Sequence, residues 1–362
     1  MRADPPGLNR RAVLAAPLAL AACDRFASAR TPEAPLAPPL KSLVDFPIGA
    51  TGMTGQLDDP VWVAAMRRHV DQITPEWELK PERILRPGFA YDFSASDRMV
   101  DWGHEQALRV FGHTLVWYSQ GLDLFTDALP VARFAAEFDR YVSTVAGRYR
   151  GRMVGWDVVN EAVAEDGDGL RDCVYARKLG PEAYIVRAFE QARAADPDAV
   201  LFLNDYNLEN NPRKGATFLK LVERLLKLGA PIGGIGTQSH LDIEIPAGQI
   251  RDFFRDAGSL GLPIHVSELD FPMQRDGGRM PDLRSTADRR AQQVARVGEL
   301  AEAFMVLPAR QRFAFTTWGL RDSDSWLVRE EGKNRPDESA LLLDAQGRAN
   351  PAFQAVAVAF AR

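Results

Sequence analysis

The sequence predicts an α/β protein whose 362 residues contain one (β/α)8 barrel. From residue 45 onward, short apolar runs rich in β-branched and aromatic residues alternate with longer segments whose apolar residues recur at helical spacing. Eight such runs in about 315 residues favour a closed parallel barrel over an open doubly wound sheet. Because 46% of the residues are apolar, the chain can also bury the large core that a barrel needs.

The eight predicted strands are short, and none is long enough to form an independent helix. They span residues 46–50, 70–74, 109–113, 153–159, 200–204, 234–238, 264–268 and 313–318.

Amphipathic helices are predicted between several of these strands. They span residues 129–149, 181–195, 216–228, 285–307 and 350–360. Pro181 is expected at the first helical position, where its missing N–H costs nothing. Gly229 is expected to end its helix as a C-terminal cap. The strands and helices together predict a TIM barrel forming a single catalytic domain over residues 45–362.

The N-terminus has the features of an export signal. Arg10 and Arg11 precede an apolar stretch, 12–22, that is too short to span a bilayer. The paired arginines resemble the twin-arginine motif. We therefore expect residues 1–22 to be a signal peptide.

Cys23 follows that stretch in the string LAAC, which resembles a bacterial lipobox. One interpretation is that Cys23 becomes the lipid-carrying first residue, and the other is an ordinary signal peptide with an incidental cysteine. Residues 23–44 are rich in proline and alanine, which predicts an exposed tether. The expected location is therefore periplasmic or membrane-anchored outside a bacterial cytoplasm, and any membrane contact would depend on Cys23.

Several function classes are excluded by composition and motifs. A net charge of −5 without long single-sign runs gives no footprint for nucleic acid. Strand one ends in the segment 49–52, which offers no metal ligand, and no nucleophile elbow of the G-x-S-x-G form occurs. If Cys23 carries the lipid, Cys173 is the one unmodified cysteine left after export, so neither an intramolecular disulfide nor a zinc–cysteine site is expected. We therefore predict no metal and no cofactor.

Polar and aromatic residues concentrate where seven of the predicted strands end. The segments are 74–80, 112–118, 156–161, 204–207, 236–240, 267–270 and 317–319, with Trp326 in the loop that follows. In a (β/α)8 barrel these ends converge on one face, which is where such enzymes hold their active sites.

Two glutamates stand out within these segments. A lone glutamate at a strand end is usually a solvated loop residue, but Glu161 and Glu268 both follow apolar strands that aim them into one crevice. Glycosidic bond cleavage needs one protonated and one ionised carboxyl group. Trp117, Trp318 and Trp326 could be ordinary barrel packing, yet three indoles at one rim favour a platform for pyranose rings.

Five strings in order make the chain resemble glycoside hydrolase family 10, the barrel xylanases, over roughly residues 45–360. They are WDVVNE at 156–161, VSELD at 266–270, GHTLVW at 112–117, NDYN at 204–207 and GIGTQSH at 234–240. The resemblance implies retaining endo-1,4-β-xylanase activity on xylan or xylo-oligosaccharides.

The resemblance also implies a role for each matching residue. Glu161 would be the acid/base and Glu268 the nucleophile. Asn160 and Gln238 would bond the nucleophile and the neighbouring sugar hydroxyl, and His240, held by Asp270, would orient Glu268. The substrate-binding residues would be Glu76, Trp77, Lys80, His113, Trp117, Asn204, Tyr206, Trp318 and Trp326.

Three positions depart from the family pattern. Trp77 replaces a usual asparagine, Tyr118 a usual histidine and Pro81 a common tryptophan. A bulky indole at position 77 could fill part of the glycone cleft, so chain-length preference stays open.

Three functional hypotheses follow. The first is an endo-acting, monomeric xylanase, and the second is an exo-acting or aryl-β-xylosidase-like hydrolase whose cleft Trp77 has shortened. The third, outside the enzymes, is a catalytically silent xylan-binding lipoprotein. Release of single xylose units from the start distinguishes the second from the first, and xylan binding without hydrolysis identifies the third.

Overall fold

The computed structural model describes residues 37–273, 283–329 and 338–362. Ala37–Arg362 form one compact unit. The predicted signal peptide, Cys23 and the tether up to residue 36 lie outside the described residues. Within the described part, no helix has both the length and the apolar character needed to cross a bilayer.

The strands form a closed parallel barrel. They are β1 (Ile48–Gly52), β2 (Gln72–Pro75), β3 (Arg109–Gly112), β4 (Gly155–Asn160), β5 (Val200–Asp205), β6 (Gly234–Thr237), β7 (Ile264–Leu269) and β8 (Arg312–Thr317). Each pairs in parallel with the next in sequence, and β1 also pairs with β8, where Ile48 lies opposite Phe315. The predicted (β/α)8 fold class is confirmed, and each strand boundary lies within two residues of its prediction.

In the part of the chain that the structure describes, eight helices follow the strands in turn. They are α1 (Pro60–His69), α2 (Ser94–Glu105), α3 (Val131–Arg148), α4 (Ala183–Ala195), α5 (Pro212–Lys227), α6 (Gln249–Gly258), α7 (Thr286–Val306) and α8 (Pro351–Phe360). Shorter helices at Pro81–Ile84, Val174–Leu179 and Trp326–Arg329 lie in the loops between strands and helices. The sequence analysis did not identify α1, α2 or α6.

The starts of α4 and α5 differ from the predicted positions, and a side-chain cap sets the start of α5. The side chain of Asn211 accepts hydrogen bonds from the N–H groups of Arg213 and Lys214, so α5 starts at Pro212, earlier than predicted. The predicted helical position of Pro181 is wrong, because α4 begins at Ala183 with Glu182 as its N-cap. Gly229 follows the end of α5 with a φ of +85°, the left-handed conformation expected of a terminating glycine.

The packed unit begins before the expected boundary at residue 45. Leu40 lies in a 3-10 helix, Leu40–Ser42, and is 3% exposed. Its N–H points at Nδ1 of His69, 3.4 Å away on α1. Residues 37–44 therefore belong to the folded unit rather than to an exposed tether.

An aromatic layer fills the barrel interior near the strand beginnings. Phe111, Phe202 and Phe313 surround His265, with ring centroids 4.5 to 5.8 Å from the imidazole. Burial lowers the pKa of His265 to about 3, so the ring is neutral, and Nε2 lies 2.8 Å from the Thr316 hydroxyl. This layer supports the opposite end of the barrel, where the polar residues converge.

Candidate active site

A cavity of about 510 Å3 opens at the carboxyl ends of the barrel strands. It is lined by Met53, Glu76, Trp77, Lys80, His113, Trp117, Asn160, Glu161, Tyr206, Gln238, His240, Glu268, Trp318, Trp326 and Arg329. Thirteen of the predicted site residues are therefore brought together, while Asn204 and Asp270 lie buried behind the wall.

Glu161 follows the last residue of β4 and accepts hydrogen bonds from neutral amides. Asn160 Nδ2 and Gln238 Nε2 each donate to Oε1 over 3.1 Å. Within residues 37–273, 283–329 and 338–362, no hydrogen bond reaches Oε2, so this oxygen is available to a substrate. Glu161 has a φ of +63°, a left-handed conformation that only surrounding contacts can maintain in a residue with a side chain.

Glu268 lies in β7, in a more positive environment. Burial raises the pKa of Glu268, but the neighbouring His113, His240 and Lys80 lower it by a larger amount. The pKa of Glu268 therefore lies below its usual value. Oε2 lies 3.5 Å from His240 Nε2, and Oε1 lies 3.8 Å from His113 Nδ1. This carboxyl group is therefore ionised at neutral pH.

Amide side chains connect the two carboxylates. Asn204 Nδ2 donates to Glu268 Oε1 over 2.7 Å and to Asn160 Oδ1 over 2.9 Å. The predicted contact of Asn160 and Gln238 with the nucleophile is thus corrected, since both bond Glu161 and it is Asn204 that bonds Glu268. Asn204 is 0% exposed, so it supports the nucleophile from beneath and is not a sugar contact as predicted.

His240 is oriented by Asp270. Its Nδ1 lies 2.9 Å from Asp270 Oδ2, and that oxygen also accepts a 2.8 Å hydrogen bond from the indole N–H of Trp326. Burial lowers the pKa of His240, but Asp270 and Glu268 outweigh it and raise the pKa to about 10. A cationic imidazole therefore faces Glu268.

His113 has a second carboxylate partner that the sequence analysis did not identify. Asp157, inside β4, lies 2.8 Å from His113 Nδ1, and burial raises its pKa to about 6 although His113 opposes this. Among the described residues, the His113, Asp157 and Glu268 ligand atoms all lie within 4.8 Å of one another. Asp157 already bonds His113, and Glu268 already bonds Asn204, so these side chains fit a hydrogen-bonded network.

Lys80 lies within a cage of three indoles. Its Nζ is 5.0 Å from the ring centroids of Trp77 and Trp117 and 5.2 Å from that of Trp318. Trp77, which the sequence analysis gave as a departure from the family pattern, supplies one wall of this cage. The flat rings and the ammonium group offer a surface suited to a neutral sugar.

Glu76, which was predicted to bind the sugar, lines the cavity and is also bonded to other residues of the protein. Arg329 Nη2 donates to its Oε1 over 2.5 Å, and the Thr51 hydroxyl donates to its Oε2 over 3.3 Å. Burial raises the pKa of Glu76 above its usual value, although Arg329 lowers it. Arg329 and Met53, which the sequence analysis missed, form this end of the cavity.

Tyr118, another of the three departures from the family pattern, stacks on an arginine beside Glu161. The Arg171 guanidinium lies 4.1 Å from the centroid of the Tyr118 ring, and its Nε donates to the carbonyl oxygen of Glu161 over 3.0 Å. Arg171 Nη2 also donates to the Tyr206 hydroxyl over 3.1 Å, and that hydroxyl donates to Glu165. Tyr118 and Tyr206 therefore bracket the guanidinium that holds the Glu161 backbone.

Comparison with known proteins agrees with this arrangement. The sequence profile of the family described as Glycosyl hydrolase family 10 matches residues 43–359. The chain is 34% identical over 345 residues to endo-1,4-beta-xylanase A of Cellvibrio japonicus, covering 88% of this chain and 56% of that protein. It is 36% identical over 290 residues to endo-1,4-beta-xylanase B of Paenibacillus barcinonensis, covering 78% of this chain and 86% of that protein.

Solved structures show the same fold. A thermostable mutant of a Cellvibrio japonicus xylanase is 34% identical with a TM-score of 0.81, and the match covers 89% of this chain and 100% of that chain. A mutant of xylanase A from P. fluorescens subsp. cellulosa in complex with xylopentaose is 33% identical with a TM-score of 0.80, and the coverage is 89% and 100%.

Proposed function

The chain belongs to glycosyl hydrolase family 10, and on that premise we propose that it is a retaining endo-1,4-β-xylanase that hydrolyses xylan and xylo-oligosaccharides. The chain spans little more than half of the first relative, so the activity of that longer protein is not transferred as a whole. The cavity itself supports the proposal, because it combines indole rings with two carboxylates.

The proposed reaction is a double displacement. Glu268 attacks the anomeric carbon while the bond to the leaving oxygen breaks, and that oxygen takes the proton of Glu161. Water then attacks the same carbon, gives a proton to Glu161 and releases Glu268, so the anomeric configuration is retained.

One observation carries this assignment of roles. Glu268 and Glu161 face the same cavity, yet Glu268 is held ionised by two histidines while Glu161 accepts hydrogen bonds from Asn160 and Gln238. A pair of carboxyl groups in different environments is what an acid/base and a nucleophile require.

Substitution of the two glutamates tests the proposal. We expect Glu268→Gln to reduce kcat by roughly 10⁴-fold or more on every substrate. Glu161→Ala should reduce kcat/KM on xylo-oligosaccharides by about 10² to 10⁴-fold but spare 2,4-dinitrophenyl β-xylobioside, whose leaving group needs no proton. Added azide should then yield a β-glycosyl azide, and wild-type activity of Glu161→Ala on xylan would refute the proposal.

The mode of attack is tested by early products from xylohexaose. An endo enzyme releases a mixture of short oligosaccharides from the start. Release of xylose alone would favour the exo-acting alternative, in which Trp77 closes part of the cleft.

We further propose that the chain is exported and lipidated at Cys23. The motif at 20–23 and the paired Arg10 and Arg11 support this, all of them outside the described residues. Globomycin should cause the precursor to accumulate in bacterial membranes, and Cys23→Ser should release the enzyme in soluble form. Processing that is insensitive to globomycin would exclude the lipid anchor.

A further inference from the structure

A buried ion pair lies behind Glu161 that the proposed reaction does not use. Lys214, in the first turn of α5, and Asp205, the last residue of β5, both have side chains that are 0% exposed. Nζ of Lys214 lies 3.0 Å from Asp205 Oδ1 and 3.4 Å from the centroid of the Tyr206 ring. Taking two charges out of water is unfavourable, so a gain in stability does not by itself explain this buried pair.

Asp205 and the residue before it hold the chain that carries Glu161. Asp205 Oδ2 accepts a 3.0 Å hydrogen bond from the N–H of Val163, two residues after Glu161. The carbonyl oxygen of Asn204 accepts a 2.8 Å bond from the N–H of Glu161 itself. The end of β5 therefore fixes the segment 161–163 at two points.

Glu161 needs this support because of its backbone conformation. Its left-handed φ of +63° is unfavourable for a residue with a Cβ, and it sets the direction in which the carboxyl group leaves the chain. If the N–H of Val163 lost its acceptor, the segment could relax and the carboxyl group would shift. Proton transfer depends steeply on such shifts, since a misplacement of about 1 Å can cost on the order of 10²-fold in rate.

We infer that the Lys214–Asp205 pair is a positioning element for the acid/base Glu161, an inference that rests on the proposed function. Asp205 supplies the acceptor that fixes residue 163. Lys214 supplies a charge that favours the ionised form of this carboxyl group, because burial raises the pKa of Asp205 to about 7 and Lys214 keeps that pKa from rising further. Both side chains are fully buried, and neither residue is among those that line the cavity.

Two double variants separate the acceptor from the charge. Asp205 Oδ1 also accepts a hydrogen bond from the N–H of Tyr206, so Asp205→Leu/Lys214→Met removes the ion pair and both acceptors. Asp205→Asn/Lys214→Met removes the ion pair and keeps one oxygen, which we expect to accept from the Val163 N–H. Both variants are neutral at this site, so neither leaves an unpaired buried charge. Asp139→Asn, which breaks a pair with Arg187 on the outer helices α3 and α4, is the control variant.

The readout is the ratio of kcat/KM for xylotriose to kcat/KM for 2,4-dinitrophenyl β-xylobioside, since kcat/KM reports the first step for both substrates. We expect Asp205→Leu/Lys214→Met to lower this ratio by about 10²-fold, because only xylotriose needs a well-placed proton. Asp205→Asn/Lys214→Met should stay within about tenfold of wild type, and Asp139→Asn should equal it.

An equal loss on both substrates in Asp205→Leu/Lys214→Met would overturn the inference, since a merely structural role predicts that result. If this variant does not fold, Asp205→Ala/Lys214→Met lacks the same acceptor and replaces it. A ratio that falls more than about tenfold in Asp205→Asn/Lys214→Met would also contradict the inference. Glu161→Ala in the same assay tests the proposed function separately, because its failure to lower the ratio would remove Glu161 as the acid.

Discussion

The charge on His240 connects Asp270 with the proposed nucleophile, Glu268. Asp270 raises the pKa of the imidazole to about 10, and the resulting cation helps to hold the pKa of Glu268 below its usual value. Trp326 donates to the same Asp270 oxygen, so the indole that was predicted as a sugar platform also fixes the carboxylate that orients His240.

Asp270→Asn should therefore change the pH profile rather than the fold. The pKa of His240 should fall toward its ordinary value, so the imidazole should lose its positive charge near neutral pH, where Glu268 is ionised. We expect the basic limb of kcat/KM to move downward by about one pH unit or more, because the cation beside Glu268 is then lost at a lower pH, whereas Asp256→Asn, in an exposed pair with Arg255, should leave it in place. An unchanged limb would show that His240 does not control Glu268.

For individual residues, the sequence predicted which side chains lie together in the site but not which atoms form hydrogen bonds. Glu161 and Glu268 could be recognised because both follow apolar strands at the same face of the barrel. The partners of Asn204 and Asp157 depend on distances between neighbouring strands, and nothing in the spacing along the chain encodes them.

The pairing of β5 with β6 explains how Asn204 reaches the nucleophile. Asn204 lies opposite Gly236 in the register of these strands. A Cβ at position 236 would lie 2.3 Å from Asn204 Oδ1, so the glycine provides the space that the amide occupies.

Gly236→Ala should consequently displace Asn204 and its hydrogen bond to Glu268. We expect kcat to fall by up to about 10²-fold with little change in the circular dichroism spectrum. Gly55→Ala serves as the control, because a Cβ there would meet nothing within 4 Å. Wild-type kcat in Gly236→Ala would mean that the contact between Asn204 and Glu268 contributes little to catalysis.

Helix prediction was less complete than strand prediction. In α6, the buried residues Ile250, Phe253, Phe254 and Ala257 recur at the i, i+3, i+4 and i+7 spacing of an amphipathic helix, and charged side chains occupy the other face. The signal for α6 was therefore present in the sequence and was missed, and this helix of only 10 residues forms because tertiary packing covers its apolar face.

The whole folded unit includes a segment that composition alone assigned to a tether. Besides the buried Leu40, Lys41 Nζ donates to the carbonyl oxygens of Arg67 and Val70 over 2.9 and 3.1 Å. A run of prolines and alanines carries no periodic pattern, so the sequence could not reveal that its last residues pack on α1.

Truncation distinguishes the two boundaries. A chain beginning at residue 45 should have a Tm several degrees below that of a chain beginning at residue 37, since burial of a leucine contributes about 1.5 to 3 kcal/mol. A full-length Leu40→Ala variant should reproduce part of this loss, while Pro38→Ala, which removes no buried side chain, should not. Equal Tm values for the two truncated chains, measured by calorimetry, would place the boundary at 45.

The pairing of β1 with β8 has a consequence for the nascent chain during its synthesis. Ile48 finds its neighbour Phe315 only after more than two hundred intervening residues have been added, so the ring cannot close while the ribosome still holds the last quarter of the polypeptide. Until then β1 presents an unpaired edge to its surroundings. During synthesis this edge is therefore open to pairing with another chain until β8 has been added.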